Sequence, residues 1–197
     1  GSDDELAEDL KTIEKHVKNC KTVVSDLLAF SRKGTSKVSA INVNEVTEGV
    51  VKFLSNHSDF RNIEMISQLE SDTALTVTGN EQELAQVLVN LLINACHACD
   101  KKGKIRVATG RSDNNEVLIR VADTGKGIAQ KDLPKIFDPF FTTKPVGQGT
   151  GLGLSVGYGI IKRHQGEIRV KSRENQGTEF TISLPELKET NQIEQVS

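Results

Sequence analysis

Three short boxes within residues 90–154 constrain most strongly what this chain can fold into. The first, NLLINACHA, places Asn90 and Asn94 four residues apart; the second, DTGKGI, begins at Asp123; and the third, GTGLGL, spans residues 149–154. A polar helix face, a carboxylate at a strand end and two glycine clusters can supply a metal ligand, a base-reading group and backbone N–H groups for phosphate. Together the boxes predict a nucleotide site.

The order of the predicted elements indicates the fold class. Apolar periodicity predicts helices at about 44–55, 81–99 and 151–164, and strands at 61–69, 74–78, 104–111, 116–122, 167–173 and 178–184. Asn44 is the expected N-cap of the first helix, and Gly79-Asn80 caps the second. The predicted elements follow the order helix, hairpin, helix, hairpin, lid, helix, hairpin. This order differs from the alternation of strands and helices in βαβ units. It predicts an α+β two-layer sandwich with a largely antiparallel or mixed sheet.

A separate helix is predicted ahead of this domain. Apolar residues of the segment 3–31 recur with alternating spacings of four and three, at Leu6, Leu10, Ile13, Val17, Cys20, Val24 and Leu27. A lone helix cannot bury such a seam, so residues 6–28 are expected to pair with another helix or a homodimer partner, unless they pack on their own domain. The expected organisation is a helical segment at 1–34, a linker at 35–40, a domain at 41–187 and a flexible tail at 188–197.

Composition narrows the function classes. A net charge of -2 provides no general attraction to nucleic acid or anionic membranes. No apolar run approaches the length of a membrane span, so a cytoplasmic, soluble piece is expected. Gly1-Ser2 is typical of a cloning scar, and a longer, membrane-anchored parent is compatible with it. Cys96 and Cys99 formally make a C-x-x-C pattern, but we expect both to be small apolar helix residues rather than metal or redox groups.

Each candidate site residue also has an ordinary structural interpretation. The amide oxygen of Asn94 suits Mg²⁺, although a helix asparagine alone is more often bonded to backbone. Asp123 follows a hydrophobic strand and could accept a hydrogen bond from the exocyclic amine of a base, or could be an Asx-turn residue. Gly149, Gly151 and Gly153 precede a helix and could let phosphate approach the main chain. They fit neither the P-loop nor the strand-linked Rossmann pattern.

Residues 129–148 form a long loop containing glycine and proline, which is typical of a functional lid or a disordered segment. Lys144 could reach a terminal phosphate from this lid, or could be a solvated surface lysine. Phe137, Phe140 and Phe141 could anchor the lid or simply pack within the loop. His97 lies three residues after Asn94 and could donate to phosphate, although a single helical histidine is more often structural.

In combination, NLLINA, DTGKGI, FDPFFTTK and GTGLGL resemble the nucleotide-binding domain of sensor histidine kinases, in the gyrase, Hsp90, histidine kinase and MutL superfamily. The resemblance covers about residues 40–187, and the lid is most similar to the nitrogen-regulator class. It implies a Bergerat ATP-binding fold, a mixed sheet with three helices preceded by a long helix. Residues 4–33 resemble the second helix of the family's dimerisation and phosphotransfer domain.

The resemblance also implies a reaction and its residues. The γ-phosphoryl group of ATP, bound with Mg²⁺, would pass to a histidine and then to an aspartate of a response-regulator receiver domain. Asp123 would accept a hydrogen bond from the adenine amino group, with Thr178 nearby. Asn94 would hold Mg²⁺ and His97 would contact phosphate. Asn90 would order the part of the site that binds the phosphates. The other implied ATP contacts are Gly125, Gly127, Ile128, Thr142, Thr143, Lys144, Gly149, Thr150, Gly151, Leu152, Gly153 and Leu154. Asn90, Asn94 and Lys144 are the implied catalytic residues.

Two departures refine this expectation. None of the four histidines, His16, His57, His97 and His164, has the sequence context of the family's acceptor. The chain alone is therefore expected to bind ATP without autophosphorylating. ATP hydrolases of the superfamily carry a glutamate general base four residues before the metal-binding asparagine. Here that position is Asn90, which cannot take a proton from water. A hydrolase, a serine kinase of the superfamily and a scaffolding module remain the alternatives.

Overall fold

A computed structural model of the protein describes residues 38–71, 74–100, 102–145 and 149–187. The predicted long helix at 1–34, with its pairing seam at 6–28, lies outside the described residues, as does the predicted tail at 188–197. The organisation predicted for those segments therefore stays a prediction. Of the helices in the described ranges, none combines the length and apolarity that crossing a membrane requires.

The described residues form three α-helices and seven strands. The helices are α1 (Val43–Ser55), α2 (Glu81–Ala98) and α3 (Gly153–Arg163). The strands are β1 (Ser39–Asn42), β2 (Ile63–Gln68), β3 (Thr76–Gly79), β4 (Gly103–Arg111), β5 (Glu116–Asp123), β6 (Glu167–Ser172) and β7 (Thr178–Pro185). Short 3₁₀ turns occur at Ser58–Phe60 and Leu133–Lys135. The second turn lies within the predicted lid.

Five strands make a mixed sheet in the order β2-β4-β5-β7-β6, and β1 pairs with β3 in a separate two-stranded sheet. The mixed α+β sandwich with three helices is confirmed for this part of the chain. The predicted hairpin of the strands at 61–69 and 74–78 is wrong, because β2 runs parallel to β4 and β3 pairs with β1. Parallel strands need a crossover, and the path from β2 to β4 includes α2. The seven residues from 69 to 75 are also too many to impose a tight hairpin turn.

The helix starts show how local chemistry sets the element boundaries. Asn80 caps α2 as predicted, because its side chain accepts the Glu83 N–H at 2.9 Å. The cap of α1 is Asn42 rather than the predicted Asn44, because the Asn42 side chain accepts the Asn44 N–H at 3.0 Å. The Asn44 amide instead donates to the Glu70 carbonyl at 2.6 Å. A tertiary contact thus decides between two asparagines that are equally good caps by sequence.

The core lies between the helix layer and one face of the five-stranded sheet. The predicted apolar face of α2 is buried there, and so are the alternate residues of β5. The buried residues confirmed from these two predictions are Leu84, Val87, Leu88, Leu91, Ala95, Val117, Ile119 and Val121. This packing fixes the rotation of α2 about its axis and leaves Asn90 and Asn94 half-buried at its side.

Cys96 and Cys99 both belong to the buried core, in line with the prediction that they are small apolar residues. Burial raises the pKa of the Cys99 thiol, and the nearby charge of Asp123 raises it further. A raised pKa keeps the thiol protonated and weakly reactive. Within the described ranges, no cluster of three or more histidine, cysteine, aspartate or glutamate residues has the arrangement of a metal site.

Candidate functional site

A cavity of about 580 Å³ opens between the C-terminal half of α2, the ends of β5 and β7, and the lid. Its volume lies in the range of small-molecule sites. Ten predicted site residues line it: Asn94, His97, Asp123, Gly127, Ile128, Thr142, Thr143, Lys144, Leu154 and Thr178. The other lining residues are Ala95, Ala98, Asp100, Lys126, Ile136, Phe141, Pro145 and Phe180. The fold therefore brings residues of all three boxes and of the lid to one concave surface.

Asp123 supplies a carboxylate to the cavity lining. It is the last residue of β5 and lies opposite Thr178, the first residue of β7. Its Oδ1 accepts the Gly125 N–H at 2.8 Å, which is the Asx-turn geometry, and the Thr178 N–H also donates to the carboxylate. The structural and functional interpretations of Asp123 are therefore compatible, because the turn-forming carboxylate also lines the cavity.

Burial raises the pKa of Asp123, and the two backbone N–H donors only partly oppose that shift. If this carboxylate accepts a base amine, as the family resemblance implies, protonation removes that acceptor, and adenine-nucleotide affinity is expected to fall as the pH decreases through this raised pKa. The decline should begin at a higher pH than for an ordinary aspartate, whose pKa is about 3.9. Titration calorimetry with ADP over a pH series checks this. Affinity that is constant down to the ordinary aspartate range would contradict it.

The loop after Asp123 is held by two close backbone approaches. A Cβ on Gly125 would lie 2.4 Å from the backbone carbon of Ala98, at the end of α2. Gly127 has a φ of +67°, and a Cβ there would lie 2.0 Å from the Arg173 carbonyl oxygen, in the turn between β6 and β7. Of these two glycines, only Gly127 lines the cavity. Their first structural task is to let the loop contact α2 and the β6–β7 turn.

Asn94, His97 and Lys144 form a second polar group in the cavity lining. The Lys144 ammonium lies 2.9 Å from His97 Nδ1, to which it can donate a hydrogen bond, and 3.5 Å from Asn94 Oδ1. Burial lowers the pKa of Lys144, and the neighbouring ammonium of Lys126 lowers it further. Of the lid residues predicted to bind ATP, Thr142 and Thr143 line the cavity beside Lys144.

Asn90 and residues 149–153 of the third box do not belong to the cavity lining, whereas Leu154 of that box does. Asn90 Nδ2 donates to the Gly153 carbonyl at 3.3 Å, which ties α2 to the start of α3. Gly151 has a φ of +67° and packs against the backbone of Phe140, whose N–H donates to the Gly151 carbonyl at 3.0 Å. The Thr150 hydroxyl accepts the Leu152 N–H at 3.2 Å. The phosphate contacts predicted for Gly149, Thr150, Gly151, Leu152 and Gly153 stay a prediction.

The three lid phenylalanines have different environments. Phe137 packs its ring against Tyr158 of α3, with centroids 5.3 Å apart, and Phe141 lines the cavity. Phe140 is 65% exposed and has a positive φ of 66°. The buried residue at the start of this segment is Ile136, at 5% exposure. Anchoring of the lid thus comes from Ile136 and Phe137 as well as Phe141.

Sequence reasoning did not identify two residues that support the site. Gly177 has a φ of +89°, and a Cβ there would lie 2.0 Å from the Asp123 carbonyl oxygen. Gly177 directly precedes Thr178, so the Gly-Thr pair could have identified this position from the sequence. Ser172, at the end of β6, accepts the Ile128 N–H at 2.9 Å. A single serine carries no recognisable pattern, and only the fold reveals its position.

Residues 79–188 match the family described as histidine kinase-, DNA gyrase B- and HSP90-like ATPase, which is more than half of the chain. The chain therefore belongs to that family. Within it, the described residues are a histidine kinase catalytic domain. They resemble the catalytic domain of histidine kinase ThkA, with 34% identity and a TM-score of 0.67, covering 76% of this chain and 96% of that one.

Two further comparisons cover more than nine tenths of this chain. Sensor histidine kinase ZraS of Salmonella typhi is 38% identical over 185 residues, which cover 94% of this chain and 38% of that protein. Histidine kinase ThkA in complex with response regulator protein TrrA is 27% identical with a TM-score of 0.75, covering 92% of this chain and 52% of that one. The chain thus spans less than two fifths of the length of ZraS.

Proposed function

We propose that this domain binds ATP together with Mg²⁺ and donates the γ-phosphoryl group to a histidine on a dimerisation helix. The observation that carries the proposal is that the lining of one cavity holds two chemically different polar groups. One group is the Asp123 carboxylate, and the other is the cluster of His97, Lys144 and the Asn94 amide. We assign the carboxylate to a base-reading end of the site and the cluster to a phosphate end. An adenine nucleotide has the complementary division, with an exocyclic amine at one end and anionic phosphates at the other.

The domain's own residues act by positioning and charge neutralisation. The Asp123 carboxylate accepts a hydrogen bond from the adenine amine and fixes the orientation of the base. The Lys144 ammonium offsets phosphate charge, and the His97 ring donates a hydrogen bond to a phosphate oxygen. Phosphoryl transfer needs in-line placement of donor and acceptor more than a protein nucleophile in this domain. The acceptor histidine is then supplied by another helix.

The residues present fit a magnesium ion. Asn94 lines the cavity, and the positively charged Lys144 ammonium lies 3.5 Å from its Oδ1. A cation in the cavity can therefore approach this oxygen. An amide oxygen is a ligand that Mg²⁺ accepts, and the ion usually takes phosphate and water oxygens for the rest of its shell. Asn94 would hold the ion, which would neutralise charge on the phosphates.

Replacing Asn94 with alanine should therefore weaken ATP binding in the presence of Mg²⁺ by about tenfold or more, because one charge-assisted contact is lost. Adenosine binding should be unchanged, since the base end is intact. Titration calorimetry with both ligands, with and without Mg²⁺, measures the effect. Asn114→Ala, at an exposed turn position, is the control. Equal losses for ATP and adenosine would contradict a role for Asn94 at the phosphate end.

Asn90 gives no support to the alternative that this domain hydrolyses ATP. Its amide is bonded to the Gly153 carbonyl, and neither its chemistry nor its contact makes it a general base. The reaction type is tested by incubating the protein with γ-labelled ATP, Mg²⁺ and a separate two-helix dimerisation domain. Label on that domain that is lost in acid and retained in base is expected. Acid-stable label would indicate a serine kinase, and phosphate release without acceptor would indicate a hydrolase.

We propose two partners for the complete protein. Residues 6–28 would pair with the phosphotransfer helix and with a second copy of the chain through the apolar seam, which lies outside the described residues. The phosphoryl group would pass from the histidine to an aspartate of a response-regulator receiver domain. The similarity to ThkA, a histidine kinase crystallised with response regulator TrrA, supports the second partner.

A further inference from the structure

Three polar side chains lie in one row across the end of the sheet. Ser172 of β6 pairs in register with Thr178 of β7, and Thr178 pairs in register with Asp123 of β5. Side chains of directly opposed residues lie on the same face of a sheet. Asp123 and Thr178 line the cavity, so the row runs along its base-reading end. Ser172 is at the outer end of the row and does not line the cavity.

The Ser172 hydroxyl has three partners. It accepts the Ile128 N–H at 2.9 Å, donates to the Gly177 carbonyl at 2.8 Å, and lies 2.9 Å from Thr178 Oγ1. A serine hydroxyl has one proton and two lone pairs. The Ile128 N–H can only donate and the Gly177 carbonyl can only accept, so the serine proton belongs to Gly177. The remaining lone pair can then only accept the proton of the Thr178 hydroxyl.

This assignment fixes the polarity of Thr178. The Thr178 hydroxyl donates its single proton to Ser172. Toward a ligand in the cavity, this hydroxyl can therefore only accept a hydrogen bond. The neighbouring Asp123 carboxylate is also an acceptor when ionised. The base end of the cavity is therefore complementary to groups that carry N–H protons. A ring carbonyl at the same place would face acceptors with no proton to share, and buried unpaired acceptors are costly.

We propose that Ser172 is a positioning residue that sets base selectivity by orienting the Thr178 hydroxyl, so that the site takes a purine with an amine rather than a carbonyl at its six position. This inference rests on the proposed function, because it concerns which nucleotide that site accepts. Ser172 acts through Thr178 and Ile128 and does not itself touch the base. Removing its hydroxyl frees the Thr178 proton and lets Thr178 donate to a carbonyl.

The test compares the affinities for ATP and inosine triphosphate, which has a carbonyl in place of the amine. Ser172→Ala should lower the preference for ATP by about tenfold, the usual effect of one hydrogen bond on discrimination. Ser172→Thr keeps the hydroxyl and should keep the preference. Ser55→Ala is the matched control, because the Ser55 hydroxyl also donates to a backbone carbonyl, that of Val51 at 2.8 Å, on α1 and outside the cavity lining. Thermal unfolding of each variant is recorded in parallel.

The outcomes separate the two proposals. The inference is supported if the unsubstituted protein prefers ATP and Ser172→Ala lowers that preference while Ser172→Thr and Ser55→Ala keep it. An unchanged preference in Ser172→Ala, or the same loss in Ser172→Thr, overturns the role of Ser172 and leaves the ATP site standing. Failure of the unsubstituted protein to bind ATP overturns both. Should Ser172→Ala unfold, Thr178→Val provides the second route, and an unaltered preference there also overturns the inference.

Discussion

Replacing Asp123 with asparagine is expected to weaken ATP binding by about 100-fold or more, because a charged acceptor is lost and an amide N–H can take its place opposite the base amine. The Gly125 N–H, now bonded to Asp123 Oδ1, can still be accepted by the asparagine oxygen. With its oxygen held by the Gly125 N–H, the asparagine places its NH₂ group where the second carboxylate oxygen of Asp123 lies. Two donors would then face each other at the base-reading end.

Titration calorimetry with ATP and adenosine measures this effect, and both ligands should lose affinity because the contact is to the base. Asp113→Asn, at an exposed position in the turn between β4 and β5, is the charge-matched control and should bind normally. A loss confined to ATP, with adenosine unaffected, would contradict the assignment of Asp123 to the base.

The stability of the same variant separates loss of binding from loss of fold. Burial raises the pKa of Asp123 in the folded protein. Such a group contributes stability that is fully present below its unfolded pKa and is lost as the pH rises through its folded pKa. At neutral pH the buried carboxylate therefore opposes folding, and Asp123→Asn should unfold at the same or a higher temperature. A variant with lower stability at neutral pH would show that the two backbone N–H contacts of the carboxylate outweigh the cost of burying its charge.

Gly177→Ala is expected to destabilise the protein by about 3 kcal/mol, the sum of left-handed backbone strain and overpacking. Gly177 has a φ of +89°, which an L side chain rarely adopts, and its Cβ would lie 2.0 Å from the Asp123 carbonyl oxygen. The new methyl group must push the β6–β7 turn away from the end of β5. Since Asp123 and Thr178 meet there, nucleotide binding should fail in the molecules that remain folded. Urea unfolding and calorimetry with ADP measure the two effects.

Gly49→Ala is the matched control for this substitution. Gly49 lies within α1, and apart from its chain neighbours and the backbone of its own helix no heavy atom lies within 4 Å of the position that its Cβ would take. Alanine in a helix interior is favoured over glycine by about 0.5–1 kcal/mol, so this variant should be more stable than the unsubstituted protein. Similar destabilisation by both substitutions would contradict the steric explanation for Gly177.

Local sequence signals predicted the elements well where the determinants were local. The alternation of Val117, Ile119 and Val121 predicted the buried face of β5, and Asn80 was correctly identified as a cap. The hairpin of β2 and β3 was wrong because strand pairing is a non-local choice. Asn44 was misassigned as a cap because its partner, the Glu70 carbonyl, lies 26 residues away.

The sequence by itself determined which chemical groups were available for a site: a carboxylate at the end of a strand, an amide on a helix face, a lysine in a lid and glycines where backbones approach closely. Only the tertiary structure decided how those groups are arranged. It placed Ser172, Thr178 and Asp123 in one row, and it brought the Lys144 ammonium between Asn94 and His97. The physical reason is that spacing and periodicity report contacts within an element, whereas strand register and loop docking depend on packing between residues far apart in the chain.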